Sequence, residues 1–73
     1  MANTITWRAV DDESKAVLAE SKPVRSGSWE EVDAECDLRD QFRGIWQVTL
    51  ERVDDGQVTR RVAAAPRPAS YYR

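Results

Sequence analysis

Few residues in this 73-residue chain have the type and spacing to do chemistry. Asp11-Asp12-Glu13 and Asp54-Asp55 cluster carboxylates, the hard oxygen donors that a cation prefers. Neither run has the ligand spacing of a calcium loop, and each falls where a turn favours aspartate, so both are expected to be turns. Cys36 is the single cysteine, which excludes an intrachain disulfide. With no histidine anywhere, the usual zinc spacings are missing, and so is the side chain that most often serves as a general base near neutral pH. Gly27, Gly44 and Gly56 are too far apart for a phosphate-cradling loop, and no serine lies in a nucleophile-elbow motif. Cys36 sits among acids that disfavour a thiolate, and it is expected to be a small buried hydrophobe. The expectation is therefore a protein without enzymatic activity, cofactor or metal.

Charge is the next candidate chemistry. The net charge is −2 and the isoelectric point about 5.0, but residues 1–38 carry −5 and residues 39–73 carry +3. Arg52, Arg60, Arg61, Arg67 and Arg73, with Tyr71 and Tyr72, have the types needed for a basic surface with stacking groups, as nucleic-acid binding requires. The acidic balance of the whole chain weighs against that reading. The series Glu30-Glu31, Asp33, Glu35, Asp37, Asp40 offers the converse, an acidic surface that imitates a nucleic-acid backbone and binds a basic protein. The reading favoured over both is a small protein-interaction or regulatory module, an inhibitor or accessory protein of the kind that phages and mobile elements encode.

The elements that must position these groups begin with Thr4 to Val10, which alternates and is rich in strand formers, giving strand one. Asp11 to Ser14 is a polar turn. Ala16 to Ser21 is expected to return as strand two; the alternative is a short helix, since Glu, Lys, Ala and Leu also form helices. Pro23 ends either one. Ser28 with Glu31 makes the capping-box pattern, Arg39 and Arg43 suit a helix C-terminus, and Gly44 is a left-handed stop, so residues 29–43 are expected to be helical. Glu35 and Arg39 are spaced to pair.

That helix carries two apolar stripes. Trp29, Val32 and Cys36 share one face, and Ala34, Leu38 and Phe42 share another, roughly opposite. A sheet needs only one of them. A break near Asp37, cover by the C-terminal tail, or a partner chain would each account for the second; in the last case Leu38 and Phe42 are the candidate interface residues.

Residues 44–62 read as a β-hairpin, with Trp46, Val48 and Leu50 alternating before Asp54-Asp55-Gly56. A two-residue Asp55-Gly56 loop places Leu50 opposite Arg61 and splits the apolar residues between two faces. A three-residue loop places Leu50 opposite Arg60, Val48 opposite Val62 and Trp46 opposite Ala64, on one shared face. A slip of one residue turns a whole strand over, so the three-residue loop is expected, with Gly56 supplying its left-handed position. Arg52 and Arg60 then share the core face near the tip, with Arg61 on the other.

Hydrophobic residues make up 41% of the chain and charged residues 33%, a globular balance, but a chain this short buries a thin core, for which the three tryptophans are the expected anchors. The expected architecture is a single α+β domain over residues 1–65, a sheet of about four antiparallel strands with one helix on one face. Its order is ββαββ, or βααββ if residues 16–21 are helical. Residues 66–73, with Pro66 and Pro68, form an extended tail. No apolar run suits a membrane span or signal peptide, which makes the cytoplasm the default location. The expected partner is a protein, or a second copy, with nucleic acid as the lesser alternative and no membrane. Leu38, Phe42, Arg52, Arg60, Tyr71, Tyr72 and Arg73 are the residues expected to bind it.

Overall fold

Strand β1 (Thr4–Asp11) organises the fold because it is paired along both edges. A computed structural model describes residues 3–65, so the expected tail, including Tyr71, Tyr72 and Arg73, lies outside the described residues. On one edge, β1 pairs antiparallel with β4 (Val48–Asp54), which in turn pairs with β5 (Gln57–Ala63). On the other edge β1 pairs with both β2 (Val17–Glu20) and β3 (Val24–Arg25). The sheet thus has five strands, and residues 17–20 are a strand rather than a helix. The ββαββ plan holds, with its second strand cut in two.

The cut follows from Pro23, which has no N–H to donate to a ladder. Ser21 compensates on its near side. Its N–H donates to the Trp7 carbonyl at 2.7 Å, and its hydroxyl accepts the Trp7 N–H at 2.9 Å, so a side chain replaces a missing strand partner. Before β2, Asp11 Oδ1 accepts the N–H groups of Glu13 and Ser14, and Lys15 adopts a left-handed φ of 64°, which closes the turn. The β1–β2 register shifts at Ala9/Val10, where Leu18 is the extra residue.

Helix α1 (Trp29–Gln41) packs on one face of this sheet, against β1, β3 and β4. The core between them holds Ile5, Trp7, Ala9, Val48, Leu50 and Ala64 with Ala34 and Leu38 from the helix. Phe42 and Val62 pack at its margin. Trp7 is 1% exposed and is the largest residue there. Burying an indole of its size contributes about 4–6 kcal/mol. That outweighs about 1–3 kcal/mol for its ring N–H, which has no acceptor among the described residues.

Three expectations about the core are corrected. Leu38 is 3% exposed, so the stripe with Leu38 and Phe42 is the one that meets the sheet and is not spare. Cys36 is exposed, and Trp29, at 82% exposure, anchors nothing in the core. Trp46 is half-buried in the turn before β4, outside the core cluster, so a single tryptophan of the three anchors the core. The rotation of the helix about its axis decides this, and a tertiary contact accompanies it. Glu31 lies 20° from Leu38 around an ideal helix. Its ion pair with Arg52 on the hairpin is made in the same rotation that sets Leu38 and Ala34 down onto the sheet.

The helix ends also depart from expectation in detail. Ser28 is the N-cap by backbone conformation, but its hydroxyl donates to the Arg25 carbonyl at 2.6 Å instead of capping. Glu31 accepts the Gly27 N–H at 3.1 Å, one residue earlier than a capping box would have it. The helix stops at Gln41, two residues before the expected end, and Gly44 takes the left-handed conformation expected of it with φ 83°.

The β4–β5 hairpin resolves the register differently from either expectation. Asp55 and Gly56 have φ of 52° and 79°, the paired positive angles of a two-residue type I′ turn, with Val53 opposite Val58. The three-residue loop is therefore incorrect. The shared apolar face nevertheless survives. A bulge at Thr59 shifts the register by one, so Arg52 lies opposite Arg60 and Leu50 opposite Val62. Ala64 donates its N–H to Val48, not to Trp46. Two single-residue changes, a shorter turn and an added bulge, leave the same side chains facing the core.

Candidate interaction surfaces

Arg52 sits at the junction of hairpin and helix. Its Nη2 lies 2.8 Å from Ser26 Oγ and 3.0 Å from Glu31 Oε1, and its Nη1 donates to Thr59 Oγ1 at 2.8 Å. Asp54 adds a carboxylate at 3.8 Å. The side chains of Arg52 and Glu31 are 16% and 19% exposed, so this guanidinium is a brace between two elements, with its charge offset on site. The Arg52 hydrogen bond holds the Glu31 carboxyl below its ordinary pKa, against the opposing effect of burial. Arg60, its cross-strand partner, is exposed. The hairpin tip is thus a structural joint with one exposed arginine beside it.

The face of the sheet away from α1 carries a different arrangement. Cross-strand register brings Glu20, Arg8, Glu51 and Arg61 into one row across β2, β1, β4 and β5. Partners directly opposite in an antiparallel ladder point to the same side. Arg8 lies 2.8 Å from Glu51, and Arg61 lies 3.2 Å from the same carboxylate. Burial of Glu51 opposes its ionisation, but the Arg8 and Arg61 hydrogen bonds prevail, and its pKa lies below the ordinary value. The rest of this face is β-branched or small, with Thr6 opposite Val53 and Val10 opposite Thr49. Among the described residues no helix or strand is layered upon it.

The third surface is the outer line of α1. Trp29, Val32 and Cys36 occupy the side opposite Ala34 and Leu38, at 82% and 47% exposure for the first two. The exposed Asp33 and Asp40 border them. Between α1 and the β2–β3 edge runs a shallow groove floored by Val24, Ala34 and Leu38 and bordered by Lys22, Glu30, Asp33 and Asp37. No group of three or more metal-ligating side chains converges among the described residues. The Asp11 carboxylate is taken up by its own turn, where the N–H groups of Ser14 and Glu13 lower its pKa.

Of the residues expected to bind a partner, Leu38 is in the core and is not available, Phe42 is half-buried against it, and Arg52 is committed to Glu31. Arg60 is outward. Leu38 and Phe42 are not joined to the tip in any one surface. The helix line is legible in the sequence as a stripe, but its exposure is not. The charge row is not legible in the sequence because its members are far apart along the chain and meet only through register. No family model matches the chain, and neither a curated protein nor a solved structure matches it. Among the described residues no helix is long and apolar enough to cross a membrane.

Proposed function

We propose that this chain is a non-enzymatic protein-interaction module that presents the outer line of α1 to a partner protein. The observation that carries this reading is Trp29, a tryptophan 82% exposed on an ordered helix and aligned with Val32 and Cys36. Single exposed apolar residues are ordinary, whereas aligned ones form a patch, and tryptophan is the residue most enriched among those that dominate binding energy. Asp33 and Asp40 would supply a polar rim that favours basic groups on the partner. A nucleic-acid reading draws less support, because Arg52 and Arg61 each stand against a carboxylate of their own chain.

The test is capture from an extract of the source organism with the wild-type chain and with Trp29→Ala/Val32→Ser as bait. Neither side chain belongs to the core cluster, so the variant is expected to melt within a few degrees of wild type. A specific partner recovered by wild type and lost by the variant supports the proposal. Equal recovery by both would remove the helix line from the interface.

A further inference from the structure

The row on the open sheet face has an internal charge symmetry. Read across the strands, Glu20, Arg8, Glu51 and Arg61 alternate as negative, positive, negative, positive. Four alternating charges are antisymmetric about their midpoint, which lies between β1 and β4. Place a second copy face to face, related by a twofold axis that runs along the strands through that midpoint. Glu20 then meets Arg61 of the second copy, Arg8 meets Glu51, and the reciprocal pairs follow. A twofold axis across the strands instead stacks each charge on its own kind. We propose that the open face is a self-association surface, and that the chain forms a twofold dimer in which two sheets pack face to face along their strands. The site is distinct from the outer helix line and does not depend on it.

The flanking side chains fit such a packing. Thr6, Val53, Thr49 and Ala63 are half-buried and of modest size, suited to the close, aligned stacking of two sheets at about 10 Å. Arg8, Glu51 and Arg61 would keep their ion pairs within the sheet, and all four charges would gain an opposite charge across the interface. Glu51, with 12% of its side chain exposed, already accepts from Arg8 and Arg61 and would gain Arg8 of the second copy. Satisfaction from both sides is what permits charged groups to be withdrawn from water. Strand spacing and rise give the face a flat footprint of roughly 400 Å² per copy. That is small beside the roughly 800 Å² per partner of a standard interface, so the expected dissociation constant is micromolar or weaker.

Charge reversal at the two ends of the row tests this geometry. In Glu20→Arg the homodimer has two facing pairs of like charge, and so does the homodimer of Arg61→Glu. Mixed together, the two variants restore opposite charges at all four positions. Both positions are exposed, so circular dichroism is expected to report the wild-type fold for each variant. Sedimentation analysis from about 10 μM to about 1 mM is expected to show wild-type dimerisation, at least tenfold weaker self-association of each variant alone, and recovery in the equimolar mixture. A wild-type chain that stays monomeric to about 1 mM overturns the proposal. A dimer indifferent to both substitutions, or a mixture no tighter than its components, overturns it as well. None of these results bears on capture through Trp29, which is read separately.

Discussion

Arg52 shows how one side chain can be both a joint and a charge. It joins Ser26, Glu31, Asp54 and Thr59, which belong to the loop before α1, the helix and both hairpin strands. A guanidinium suits this because its planar fork presents donors in several fixed directions. Removing it leaves Glu31 partly buried without its cation. Arg52→Met is therefore expected to destabilise the fold by about 1–2 kcal/mol, read from the urea midpoint. In a double-mutant cycle with Glu31→Gln, a coupling of about 1 kcal/mol is expected, because the two side chains are mostly shielded from water. Additivity of the two substitutions would mean that the pair contributes nothing beyond its separate contacts.

At the level of elements, Thr59 is the residue that reconciles a two-residue turn with a one-faced apolar strand. Deleting Thr59 removes only the unpaired residue, so Arg60 follows Val58 directly and Leu50 still opposes Val62. Inserting one alanine after Thr59 instead shifts β5 to the register in which Leu50 opposes Arg61. Val62 would then turn outward and Arg61 toward the core. Loss of Val62 burial alone accounts for about 1–2 kcal/mol, and an unpaired arginine facing the core adds to it. The insertion is expected to lower the melting temperature by far more than the deletion, which keeps the register. An insertion variant as stable as the deletion variant would mean that the strand recovers its register elsewhere. Gly56→Ala at φ 79° is expected to cost about 1 kcal/mol for its left-handed backbone, with the hairpin otherwise intact.

For the whole molecule, the depressed carboxyl pKa values of Glu31 and Glu51 link stability to pH. A group whose folded pKa lies below its unfolded value stabilises the fold fully above the unfolded value, and that contribution fades as pH falls through the folded one. Stability is thus expected to be level near pH 7 and to drop below about pH 4. In Glu31→Gln/Glu51→Gln the loss between pH 7 and pH 3 should be smaller than in wild type, as urea midpoints at the two values would report. An identical pH dependence would place the acid sensitivity in other groups. If the two proposed surfaces operate together, a dimer through the sheets carries two helix lines on opposite outer sides. Such a molecule binds a repeated partner with two contacts, and its avidity depends on their spacing.

The sequence by itself determined the elements. Alternation marked β1, β4 and β5, the Asp and Gly residues marked the turns, and Gly44 marked the helix end, because these signals are local and depend on side-chain period and backbone freedom. It also determined that Val62 shares a face with Val48 and Leu50, since parity survives when a turn shortens and a bulge is added. The tertiary structure alone decided which of two helix stripes is core. The two stripes are similar in apolar content, and the rotation adopted is the one in which Glu31 also reaches Arg52, 21 residues away. It alone decided that Trp29 faces water, that Arg52 is a brace, and that four charges from four strands stand in one row. Each of these depends on which residues meet across the fold, and periodicity carries no information about such meetings until register and helix rotation are set.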